Sequence, residues 1–176
     1  MKKIFLLLTL SIISILTCHA QLTHTGEFVK INLPNGVHKV NKQQVDALSM
    51  DKLPINTIKV YSPYLYQVDN ISLGLNNVNE DSNNNDMAGN KRFLDELYSS
   101  MKHHGNNSYK SVIKNIGSKQ VLIAGYNDNG VSHYRFYIQN AAKTLMQSGK
   151  IDYQEADSAK AEALLNEIIN SIQFTK

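Results

Sequence analysis

The residues of this sequence that could do chemistry are few, and their spacing works against it. The adjacent pair His103-His104 in MKHHGNN invites a metal ion. Neighbouring side chains diverge by about 100° on a helix and point to opposite faces of a strand, so one ion cannot easily take both without a loop. Zinc also usually needs three or four protein ligands, and there is no His-x3-His, no His-Glu-x-x-His and no cysteine besides Cys18. The pair therefore reads as solvated residues at a helix end. Asp81, Asn83 and Asn85 fall at the first, third and fifth positions of a calcium loop, but Asp86 stands where the loop needs glycine and Arg92 where it needs a bidentate glutamate. There is no Gly-x-Ser-x-Gly elbow and no glycine-rich phosphate loop. Asp95, Glu96, Ser100 and His103 occur within one helical stretch without sharing a single stripe, so any triad would have to assemble from distant segments, with His133 as one centre. No metal and no cofactor are expected.

The elements that would position these groups begin after an export signal. Lys2 and Lys3 precede an uncharged apolar run from Ile4 to Leu16, and small or polar residues surround Cys18 to Ala20. That is the layout of a secretory signal over residues 1–20, too short for a membrane span of roughly 20 apolar residues. Cleavage after Ala20 leaves Gln21 as the first residue. Lipidation of Cys18 is the competing route, although Thr17 stands where a lipoprotein signal usually has Gly, Ala or Ser. The expected location is periplasmic or secreted. The short MKK signal ending in Ala-Gln above an Asn/Lys/Ile-rich body resembles exported proteins of Bacteroidota-type bacteria. Losing Lys2 and Lys3 lowers the formal charge from +3 to about +1. So balanced a body gives no reason to expect nucleic acid or an anionic membrane as partner. With no cysteine left, residues 21–176 must be held by their core, and one domain is the natural reading.

Within that domain, GEFVKINLP alternates Val29, Ile31 and Leu33 with polar residues and ends in the turn Pro34-Asn35-Gly36. A short helix is expected over 41–52. Period-two apolar patterning returns from Ile58 through the tyrosine stretch YSPYLYQV to Leu75, with Pro63 marking an edge or a break. The polar, asparagine-rich stretch 76–90 reads as a loop. KRFLDELYSSMK places Phe93, Leu94, Leu97, Tyr98 and Met101 on one helical face, and Gly105 follows as a stop. Strands YKSVIKNIG, KQVLIAGY and VSHYRFYIQNA come next, the last two joined by the hairpin signal Asn127-Asp128-Asn129-Gly130. Finally Ala161, Leu164, Leu165, Ile168, Ile169 and Ile172 line one face of a helix starting near Asp157, and after Asn170 the period changes to two. The ending predicts a helix that crosses the sheet and returns the chain to its edge as a last strand, Ile172 to Phe174.

An opening strand finishing in Leu-Pro-Asn-Gly, a middle helix, a long hairpin and a terminal helix running into Ser-Ile-Gln-Phe together resemble the PsbP-like domain. The resemblance spans most of Gly26 to Phe174. It departs at Val37, which follows Gly36 where that family often carries tryptophan, a residue this chain lacks. The resemblance implies an α+β fold, with a single antiparallel β-sheet packed against helices as an α/β/α sandwich. It also implies a domain that binds or assembles rather than catalyses. Together with the export signal, this makes a protein at the cell envelope the expected partner.

The binding face is expected on Tyr64 and Tyr66 together with His133, Arg135 and Tyr137. The latter three oppose Tyr134, Phe136 and Ile138 on their strand and should face solvent, while tyrosine supplies contact area at small entropic cost. The opposing view is that Tyr64 and Tyr66 pack in the core and that the other three cover a helix. Asp157-Ser158-Ala159 resembles a Bacteroidota O-glycosylation acceptor at Ser158, though Asp157 and Ser158 also suit a helix start. Two alternatives remain: a hydrolase whose site forms only in three dimensions, and a periplasmic immunity or inhibitor protein. The first prediction concerns processing. Intact mass of the exported protein should correspond to a chain beginning at Gln21, and a diacylglycerol on Cys18 would reverse this.

Overall fold

The computed structural model describes residues 21–41, 62–80, 86–101, 108–128 and 130–176. The expected export signal with Cys18, the helix expected over 41–52, Ile58 and Val60 of an expected strand, positions 81–85 of the calcium-like loop and the His103-His104 pair lie outside them.

Among the described residues ten strands and two α-helices follow in order. The first part holds β1 (Thr23–Thr25), β2 (Val29–Asn32), β3 (His38–Lys39), the hairpin β4 (Tyr64–Val68) and β5 (Ile71–Leu75), and helix α1 (Met87–Met101). The second holds β6 (Lys110–Ile116), β7 (Lys119–Asp128), β8 (Val131–Gln139), β9 (Met146–Tyr153), helix α2 (Ser158–Ser171) and β10 (Gln173–Phe174). A seven-stranded sheet has the order β3-β4-β5-β9-β8-β7-β6, and a separate three-stranded sheet has the order β1-β2-β10. Every pairing given for them is antiparallel.

The strand at the middle of the large sheet, β9, is the one its sequence hides. MQSGKIDY contains a glycine and four polar or charged residues, so no period-two apolar pattern marks it. Its pairing shows why the glycine is there. A Cβ at Gly149 would lie 2.4 Å from Phe136 Cζ and 2.7 Å from the Gly74 carbonyl oxygen. The ring of Phe136 thus rests against the β9 backbone, and only glycine leaves room for it.

Both faces of the sheet are covered. On one, Phe136, Ile138, Ile151 and Leu73 share a core with Ala161, Leu165 and Ile168 of α2 and with Val29, Ile31 and Leu33 around β2. On the other, Leu94 and Tyr98 of α1 pack on Leu122, Ala124 and Tyr126. Helix α1 begins at Met87, inside the stretch expected to be loop, because Asp86 caps it: its Oδ1 accepts the Ala88 N–H at 3.0 Å. Phe93, expected on the apolar face, is instead 60% exposed. The helical face that meets the sheet is narrower than the sequence stripe.

The closing strand goes elsewhere than expected. β10 pairs with β2, Phe174 opposite Val29, and so completes the small sheet instead of extending the large one. Helix α2 is tied at its C-terminal end by Lys119, whose ammonium donates to the carbonyls of Ile169 (2.6 Å) and Ile172 (3.3 Å), and by Ser171 Oγ, which donates to Asn32 O at 2.8 Å. A cation there satisfies carbonyls that the helix leaves unpaired and complements its dipole. Deleting Ile172 to Lys176 removes the buried Ile172, half-buried Phe174 and one acceptor of Lys119. At about 1.5–3 kcal/mol for one large buried side chain, the truncated chain should lose several kcal/mol in urea unfolding. An unchanged midpoint would show that the ending is not docked.

Candidate functional site

Register brings together what sequence spacing could not. On the face beneath α1, Ser72, Asp152, His133 and Tyr126 are successive cross-strand neighbours on β5, β9, β8 and β7. His133 Nδ1 and Asp152 Oδ1 are 2.5 Å apart, the imidazole donating to the carboxylate, and Lys150 Nζ lies 3.1 Å from the same oxygen. His133 is 3% exposed and Asp152 5%. Aromatic rings extend the row: Tyr126 stacks on His133 with centroids 4.6 Å apart, Tyr98 lies 4.2 Å from Tyr126, and Tyr109 lies 5.1 Å from Tyr98. Arg135 sits one row along, opposite Lys150 and Ala124. Burial pushes the Tyr126 and Tyr98 phenols upward, so both stay neutral beside the guanidinium.

This layer overturns the expectation that His133, Arg135 and Tyr137 face solvent. His133 is buried, Arg135 and Tyr137 are half-buried, and Tyr137 packs against the core beneath α1. The alternation was right, but the sheet is covered on both faces, so the set opposite the core is internal as well. Tyr66 is likewise buried, its hydroxyl 2.8 Å from His24 Nδ1, and Tyr64 is half-buried with the His24 ring set edge-on at 4.7 Å. Burial, with Lys39 nearby, pushes the His24 imidazole below its usual range and keeps it neutral. Tyr64 and Tyr66 lie on the α2 face of the sheet, whereas His133, Arg135 and Tyr137 lie on the α1 face. The five candidates therefore do not form one surface. Ser158 opens α2, half-buried, and Asp157 precedes it without a side-chain capping bond.

The His133–Asp152 pair has the form of a base held by an orienting carboxylate. The order of strands keeps Ser72 from serving it: Asp152 stands between Ser72 and His133, so the carboxylate separates that hydroxyl from the imidazole. Asp95 plays a structural part. Its Oδ1 accepts Tyr109 OH (2.8 Å) and Ser111 Oγ (2.6 Å) and its Oδ2 accepts Lys91 Nζ (2.6 Å), joining α1 to β6. Partial burial works to raise this carboxyl, but the three hydrogen bonds prevail and hold it at about 2.

An accessible surface does exist, on the α2 face beyond the reach of that helix. A groove of about 1020 Å³ runs over the ends of β6 to β9. Val112 (40% exposed), Ile123, Tyr134 and Tyr153 line it, the two tyrosine rings stacked 5.1 Å apart. At one end Ser132 donates to Glu155 at 2.8 Å, and Lys110 stands on the β6 side. Tyr134, expected in the core, is half-buried here. Along β6, Lys110, Val112 and Lys114 are exposed at alternate positions, and the first two line the groove.

An antiparallel sheet between two helices, with polar chemistry buried and an apolar groove open, defines an α+β domain of the PsbP-like fold. Cyanobacterial PsbP from Synechocystis has a similar solved structure: TM-score 0.54 at 10% identity, covering 90% of this chain and 95% of that one. Yeast Ran-binding protein Mog1p from Saccharomyces cerevisiae gives TM-score 0.46 at 10% identity over 89% of this chain and 97% of that one. A Mog1 point mutant gives 0.47 at 11% identity over 89% and 95%. No family profile and no curated protein matches the sequence.

Removing one partner from a buried charge pair costs about 3–5 kcal/mol. Asp152→Ala should therefore lower stability by that order in chemical denaturation, since it leaves His133 and Lys150 without their shared carboxylate. Ser72→Ala should change it little. Equal stabilities for the two variants would remove Asp152 from the centre of the layer.

Proposed function

We propose that this protein is an exported, non-catalytic binding domain that acts at the cell envelope through protein–protein contacts, and that its contact surface is the groove beside β6. The observation that carries this reading is the groove itself. It exposes Val112 beside the half-buried Tyr134, whose ring stacks on the buried Tyr153, side chains of the kind that interfaces favour, on a sheet face whose remainder α2 and β2 cover. The PsbP-like fold is compatible with it. Export rests on the signal-like residues 1–20, and the nearly balanced charge argues against nucleic acid. Among the described residues no helix is long and apolar enough to cross a membrane.

The hydrolase alternative draws on the His133–Asp152 pair and loses most of its ground to the strand order that isolates the imidazole from Ser72. An immunity or inhibitor protein would share the absence of chemistry, and a toxin encoded beside the gene would favour it.

The test is capture from cross-linked envelope extract with the exported protein as bait. Val112→Glu puts a charge on the groove at an exposed position, so stability should change by no more than about 0.5 kcal/mol. Capture of the specific partner should fall at least about tenfold, the effect of losing an interface anchor. Undiminished capture by this variant would move the contact surface away from the groove.

A further inference from the structure

Between the small sheet and the β4 side of the large one lies a second cavity, of about 210 Å³. That is more than the roughly 150 Å³ in which an engineered cavity admits benzene. Its wall includes His24, Glu27, Phe28, Tyr64 and Gln147. Two buried polar atoms of this wall have no hydrogen-bond partner, Gln147 Oε1 and His24 Nε2. Gln147 is 0% exposed and His24 3%. Each such atom costs about 1–3 kcal/mol if nothing meets it.

The orientation of Gln147 is not free. Its Nε2 donates to the carbonyls of both Asn76 and Ser148, each at 2.8 Å. Turning the amide over would set its oxygen against two carbonyl oxygens, so Oε1 must remain the unpaired acceptor. His24 is held from its other side by Tyr66, at 2.8 Å, and offers Nε2 as a lone pair or as an N–H according to which partner carries the shared proton. Among the wall residues only Glu27 is charged, and it is negative. Outside the cavity Lys176 Nζ, paired with Glu80 at 2.6 Å, lies 4.5 Å above the Phe28 ring. A fixed acceptor, an adaptable imidazole, a carboxylate and aromatic rings together select a donor that bears positive charge.

We infer that this cavity is a binding site for a primary ammonium group, which donates N–H to Gln147 Oε1 and has its charge balanced by Glu27. The group could belong to a free small amine or to a lysine side chain of another protein. Water alone would satisfy the same atoms without preferring a cation, and the test separates these cases.

The probe is n-propylammonium, titrated into the exported protein and followed by amide NMR shifts. Saturable shifts grouped at His24, Glu27, Tyr64 and Gln147 are expected. 1-Propanol, of the same size without charge, and tetramethylammonium, charged without N–H, should each bind at least about tenfold more weakly, as a lost charge-assisted hydrogen bond implies. Nα-acetyl-lysine methylamide distinguishes the sources: binding as tight as propylammonium assigns a lysine side chain, and clearly weaker binding assigns a free amine. Glu27→Gln, at an exposed position, should weaken propylammonium about fivefold. Gly26→Ala would place a methyl 3.5 Å from His24 Nε2 and 3.0 Å from Val29 Cγ1, and should abolish binding while the spectrum remains that of a folded chain. No saturable shift with propylammonium, or equal binding of 1-propanol or tetramethylammonium, would overturn the assignment.

Discussion

The contact of the Phe136 ring with the backbone at Gly149 is the constraint on which the rest of this fold depends. Phe136 is fully buried between β9 and the residues of α2, and a Cβ at position 149 would collide with it and with Gly74 O. Because the ring can settle onto the strand, α2 can approach the middle of the sheet closely enough to bury Leu164, Leu165 and Ile168. From there its C-terminal end reaches Lys119 on β7 and Asn32 on β2. The small sheet is therefore positioned by the helix, and the helix by one glycine.

The polar layer under α1 follows from the same central position of β9. A strand flanked by β5 and β8 in a sheet covered on both faces has no solvent side, so Lys150 and Asp152 must be satisfied by neighbours. Asp152 meets both Lys150 and His133, and three tyrosines surround the Arg135 guanidinium. Buried ions of this kind add little net stability over apolar packing, yet each is costly to leave alone. The arrangement makes β8 and β9 mutually dependent in register, because a one-residue slip would carry Asp152 to the apolar face.

With chemistry turned inward, the surfaces open to other molecules are those that the helices and the small sheet fail to close. The groove over the ends of β6 to β9 is apolar and wide, and suits a macromolecule. The cavity between the sheets is small and polar, and suits a single charged group. They have no lining residue in common, so one can be altered while the other is kept.

Much of the fold was legible in the sequence because much of it is periodic. The α2 stripe, the long hairpin at Asn127 to Gly130 and the strand ending in Leu33 all carry local patterns that backbone geometry imposes. The resemblance to the PsbP-like domain was legible for the same reason, since it consists of such patterns in order. β9 was not legible, because residues beside a central polar layer are chosen for their partners and not for alternation. With β9 went Gln147, Lys150 and Asp152, and hence the core of each polar site. Exposure escaped as well. Alternation separates His133, Arg135 and Tyr137 from Phe136 and Ile138, but which face meets water depends on whether a second helix lies over it. By itself the sequence determined the strand and helix periods, the turns and the sparseness of catalytic motifs, all properties of residues close along the chain. The tertiary structure alone decided which residues are paired, buried or open, because those depend on contacts between segments whose separation leaves no trace in local spacing.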